Sequence, residues 1–138
     1  MCKLIHERKK ISMPLSKPLS RNHISSREIQ CKGYHREDGL WDIEASLSDT
    51  KTYSSANEVR NGINSGEFIH KMYLRITIDE TMTIQAAEAS IEDAPFSICG
   101  NASPVFDRLC GLSITSGFRK SVADIMGGLK GCTHLRDL

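Results

Sequence analysis

The side chains best suited to chemistry lie at the C-terminal end of the chain, in Gly127-Gly128-Leu129-Lys130-Gly131-Cys132-Thr133-His134-Leu135. A thiol and an imidazole two positions apart are candidates for a nucleophile and its acid–base partner, so Cys132 and His134 form the candidate catalytic pair. Thr133 reads as a helix N-cap with Asp137 in the first turn. That would set Cys132 beside the positive end of a helix, where the thiolate is favoured.

The same residues serve a second chemistry. Cys99, Cys132 and His134, with His70 or Cys110 as a further member, offer thiolate and imidazole ligands suited to zinc or an iron–sulfur centre. The spacing is no standard half-site, since the chain has no C-x-x-C pair. The competing plain reading is that buried free cysteines act as small hydrophobes. A third set comprises Asp42, Glu44, Asp49 and Lys51 on the second predicted strand. Asp42 and Glu44 point the same way, as a pair for a hard cation or acid–base work would, or as the wet face of a sheet does. His70, just ahead of the best-patterned strand, is placed to reach such a group. The glycines before Cys132 do not make a nucleotide loop: the lysine precedes the last glycine, and a helix rather than a strand precedes the loop.

The elements that must hold these residues follow from hydrophobic periodicity. Met1–Arg21 is polar and basic with two prolines, and residues 1–22 read as a flexible tail. Residues 23–138 read as one domain. Ile24–Arg36 carries Ile29, Cys31 and Gly33 at alternate positions. Asp38-Gly39 then signals a hairpin. Leu40–Ser48 sets Trp41, Ile43, Ala45 and Leu47 on one side. After a long polar connection with Asn61-Gly62 and Ser65-Gly66 as turn formers, Phe68–Asp79 alternates Met72, Leu74, Ile76 and Ile78 with polar residues. Met82–Ile91 returns with Met82, Ile84 and Ala86 on one side. Ser103-Pro104 reads as the start of a helix carrying Val105, Phe106, Leu109 and Leu112, stopped at Gly111. Gly117–Met126 spaces Phe118, Val122, Ile125 and Met126 for a second. The class is α+β: an antiparallel four-stranded meander followed by short C-terminal helices packed on one face.

The totals narrow the function. The chain has 138 residues, 39% apolar and 25% charged, the make-up of one globular domain. No apolar run approaches the roughly 20 residues that span a bilayer. The five cysteines are an odd number, and the first twelve residues lack a signal-peptide core, which together predict reduced thiols and a cytoplasmic location. Residues 1–36 balance at +7 and the remainder at −6. With no aromatic interleaving and no nucleic-acid motif, that basic arm reads as a solvated tail and argues against nucleic acid.

Several stretches in order carry a resemblance: Trp41-Asp-Ile-Glu44, Asp49-Thr-Lys51-Thr-Tyr53, Gly66-Glu-Phe-Ile-His70-Lys-Met72-Tyr-Leu-Arg75-Ile-Thr-Ile-Asp79, Ala87-Glu88-Ala89 and Gly131-Cys-Thr-His-Leu135. From about Met13 onward the chain resembles the bacterial family called domain of unknown function 2889. The resemblance implies no activity, cofactor or catalytic residue. It does imply a further helical segment past the Cys-Thr-His motif, which ends here at Leu138, and a glycine where this chain has Ala45. Two functions are therefore expected. One is a Cys/His site that binds a metal or cluster, or acts through Cys132. The other is a non-catalytic module that meets a protein partner or a second copy through an exposed sheet edge.

Overall fold

The computed structural model describes residues 15–96, 105–127 and 132–138, apart from the side chain of Asp137. Most of the expected N-terminal tail, Cys99, the Ser103-Pro104 start signal and the glycine loop before Cys132 lie outside the described residues. Four strands, β1 (Ser25–His35), β2 (Trp41–Lys51), β3 (Phe68–Ile78) and β4 (Ile84–Asp93), are followed by helices α1 (Phe118–Met126) and α2 (Thr133–Asp137). The strands lie in the order β1-β2-β3-β4, each antiparallel to the next. The meander expected from the alternation is thus the fold. No helix among the described residues is long and apolar enough to cross a membrane.

The turns follow local chemistry. Gly39 takes φ +83°, and the Arg36 amide donates to the Leu40 carbonyl at 2.8 Å, closing the first hairpin where Asp-Gly predicted it. At the β3–β4 turn, Asp79 accepts from the Thr81 and Thr83 amides. The long connection 52–67 is ordered by the Ser55–Ile63 bridge and by Asn57, whose amide donates to the Pro95 carbonyl.

One face of the sheet carries the core. Met72 and Ile78 of β3, with Ile84 and Ala87 of β4, meet Phe106, Leu109, Met126, Cys132 and Leu135. Three expectations need correction. Met82 does not begin the strand: it stands in the turn at φ +62° and is exposed. Ala86 is exposed and Ala87 buried, because a bulge between Thr77 and Ile78 inserts a residue into β4 and flips its register. Residues 105–109 form tight 3₁₀ turns rather than an α-helix. They still bury Phe106 and Leu109, and Gly111 at φ +87° ends them as expected. Beyond that glycine the chain pairs along the outer edge of β4: the Ile84 amide donates to the Leu112 carbonyl at 2.9 Å, and the Gly111 amide to the Ile84 carbonyl at 2.8 Å.

The five-residue α2 is too short to hold its shape alone. It is held by Leu135, which is 1% exposed in the core. Leu135→Ala leaves a cavity there and is expected to lower unfolding free energy by about 2–5 kcal/mol in urea titrations. A loss under about 1 kcal/mol would mean that α2 is not anchored through this side chain.

Candidate metal centre

The site begins with the pleat. Residues two apart on a strand share a face, so Asp49 shares the buried face with Ala45 and Leu47. By the same parity His70 shares the face of Met72, and Arg27 that of Ile29 and Cys31. The register then brings them into one row: Arg27 of β1 pairs with Asp49 of β2, which pairs with His70 of β3. Bulges flank the row, between Asp49 and Thr50 on one side and between Lys71 and Met72 on the other. Such bulges re-aim the side chains beside them.

A carboxylate on the core face must be compensated. Asp49, 8% exposed, accepts a two-pronged pair of hydrogen bonds from Arg27, from Nε to Oδ1 and from Nη2 to Oδ2, both 2.7 Å long. His70 Nδ1 donates to Oδ2 at 2.7 Å. The Arg27 hydrogen bonds hold the Asp49 carboxyl below the usual carboxylate range against its desolvation, with His70 helping. Burial pushes His70 below the ordinary imidazole value, and the neighbouring His134 pushes the same way. His70 is therefore neutral near pH 7. A carboxylate only accepts, so Nδ1 carries the proton and Nε2 keeps a lone pair.

α2 supplies the next member. Its His134 ring lies 3.9 Å from the His70 ring, centroid to centroid, tilted by 35°. Cys132 Sγ stands 4.0 Å from His134 Nδ1. Ligand atoms of Asp49, His70 and His134 all lie within 4.8 Å of one another. Two imidazoles and a carboxylate are donors that zinc and mononuclear iron accept.

Of the residues singled out in the sequence, His70, His134 and Cys132 come together, and Cys99 lies outside the described residues. Cys110 is exposed in the turn after the 3₁₀ segment. The expected cap is displaced by one residue: Cys132 itself is the N-cap, with no side-chain cap hydrogen bond, and the first turn holds no acidic residue. Asp42 and Glu44 face away from the site. Asp42 accepts from Thr77 Oγ1 at 2.6 Å and Glu44 pairs with Arg75, so they belong to the wet face. Asp49 does not belong with them, and Arg27 escaped notice altogether. The readable signal for both was parity, a charged residue in phase with an apolar stripe.

The sign of the pH dependence follows from these shifts. The folded state holds His70 deprotonated below its ordinary value of 6.5, where the unfolded chain takes up a proton. Stability from this group is complete above 6.5 and is lost as pH falls from there toward the lowered folded value. In metal-free protein kept in chelator, unfolding free energy is expected to decline below about pH 6.5. His70→Gln should flatten that decline in denaturant titrations at stepped pH. An unchanged slope would show that His70 is not the group responsible.

No curated protein and no solved structure matches the chain. Residues 25–138, which span all four strands, both helices and every member of the row from Arg27 to His134, match the family described as Protein of unknown function (DUF2889), and the chain belongs to that family.

Proposed function

We propose that this protein binds a single divalent transition-metal ion, with zinc the first choice, through His70 and His134, with Asp49 as the outer partner that orients His70. The observation that carries the reading is the approach of their ligand atoms to within 4.8 Å of one another on a partly buried face. The surrounding chemistry supports it. A metal-bound histidine characteristically donates its other ring N–H to a carboxylate, which fixes the tautomer and the ring. His70 does this toward Asp49 already, leaving Nε2 as its ligand atom. The two ring nitrogens point apart, so Asp49, held on Nδ1 and by Arg27, orients the ring from the outer side of an ion on Nε2. Among the described residues of this group the metal donors are imidazole nitrogens, a set for a mononuclear ion rather than an iron–sulfur cluster.

A second reading rests on Cys132. With Sγ at 4.0 Å from His134 Nδ1, the thiol has an imidazole partner, and His134 is in turn stacked on the His70–Asp49 pair. Nucleophile, base and orienting group in sequence are the parts of a thiol-dependent acyl transfer. Its burial among Met126, Leu135 and their neighbours favours a packing role for Cys132 and gives the metal reading precedence.

The two separate cleanly. Titration of chelator-stripped protein with zinc, and with cobalt for its visible absorption, is expected to give one site per chain. His70→Ala and His134→Ala should each weaken it by more than about a hundredfold, and Asp49→Asn by about 10–100-fold. Cys132→Ser should change the affinity little. Failure of the wild-type chain to bind stoichiometric metal would remove the metal reading. If Cys132 then alkylates faster than the exposed Cys31 and Cys110, and slows in His134→Ala, the thiol reading stands in its place.

A further inference from the structure

The helical layer covers β3 and β4, and the segment after Gly111 pairs with the start of β4 at Ile84. β1 receives neither. All but one of its residues are exposed, including Ile29, half-exposed on the face that elsewhere forms the core. Among the described residues no strand lies beyond β1. An eleven-residue strand with an open edge is a template for another strand.

The backbone phase fixes which groups that edge presents. Thr52 N donates to the Ile24 carbonyl and Arg36 N to the Leu40 carbonyl, so even-numbered residues of β1 bond inward to β2. Odd-numbered residues, from Ser25 to His35, turn their N–H and C=O groups outward. The order of side chains along the strand, Arg27-Glu28-Ile29-Gln30-Cys31-Lys32-Gly33, is self-complementary when reversed about Gln30. Antiparallel pairing of two copies on that centre sets Glu28 opposite Lys32 twice and Ile29 opposite Cys31 twice. It also sets Arg27 opposite Gly33, which has nothing within 4 Å of the position a Cβ would take. Charges meet opposite charges on the wet face and apolar groups meet on the other. Shifting the centre to Cys31 places Glu28 opposite Tyr34 and Lys32 opposite Gln30, and the charge matching disappears.

We infer that two copies of this chain associate through β1, antiparallel about Gln30, to form a continuous eight-stranded sheet. The inference is independent of whether the site on β2 and β3 binds metal. A two-fold assembly of this kind is isologous, so it closes and leaves β4, paired on its outer side only at Ile84, at both ends.

The test uses the full chain and sedimentation. The wild-type protein is expected to run as a dimer. Glu28→Lys, opposite Lys32 of the second copy, is expected to weaken association by about tenfold or more, as is Lys32→Glu. The two variants mixed should associate again, because each like-charge pair becomes an unlike one. Lys32→Glu also faces Glu44 within its own chain. Its melting temperature is therefore followed, but a folding defect would not produce association on mixing. In a Cys31→Ser background, Gln30→Cys should form a disulfide-linked dimer on mild oxidation, since residues paired across a two-fold at a non-hydrogen-bonded position approach to about 4.5 Å. Glu28→Cys in the same background should not. A monomer at all concentrations, a dimer indifferent to both charge reversals, or cross-linking through residue 28 rather than 30 overturns the proposal.

Discussion

A carboxylate placed on the apolar face of a sheet governs the organisation of this molecule. Asp49 sits where the pleat would otherwise direct a residue like Leu47, and an isolated charge there costs several kcal/mol. Two adjacent strands must each contribute a donor in register, Arg27 from one side and His70 from the other. A slip of one residue in either pairing would turn the donor to the opposite face and leave the carboxylate uncompensated. The row therefore fixes alignment across β1, β2 and β3 in a way that the apolar residues alone, tolerant of any shift by two, do not. Bulges on both sides let the row keep its aim while the flanking strands continue in their own phases.

The row is completed from far along the chain. His134 and Cys132 reach it only because Leu135 inserts into a core built from β3, β4 and residues 105–109. Helix dipole is a minor factor in a five-residue element. Position is set by burial. Leu135 points inward, and His134, its neighbour in the sequence, is left partly exposed beside His70. This arrangement couples two properties usually treated apart, since the core that gives stability also brings the second imidazole to the first.

Much of this was legible in the sequence, and the part that was not has a single cause. The strands, the Asp38-Gly39 hairpin and the meander follow from period-two alternation and turn chemistry, which are local. His70, His134 and Cys132 were recognisable by type. Asp49 was too, but type alone groups it with Asp42 and Glu44, and Arg27 was not. Parity separates them: position 49 continues the series 43, 45, 47, and position 42 does not. Ala86 misled for the complementary reason, since parity fails across a bulge and nothing in Gln85-Ala86-Ala87 announces one. The 3₁₀ turns at 105–109 show the same limit, as the spacing of Phe106 and Leu109 suits either helix type and the pairing of residues 111–114 with the start of β4 decides between them.

The uneven covering of the sheet connects these observations. Helices and the 3₁₀ segment lie over β3 and β4, so the face passes from dry to wet as it crosses β2. Asp49 and His70 stand on that boundary, each about one-tenth exposed, while Arg27 on the far side is nearly half exposed. Deeper placement would raise the cost of the carboxylate beyond what one guanidinium offsets, and a fully wet site would let water weaken each of its hydrogen bonds. At the boundary, burial is enough to keep His70 neutral, with its Nε2 lone pair available, and shallow enough for an ion or small molecule to reach it. An unpaired lone pair on a neutral imidazole, fixed in orientation by an ion-paired carboxylate and set against a second imidazole, does little for folding that an apolar pair would not do better. Its place on the core face is the physical support for the metal site proposed above.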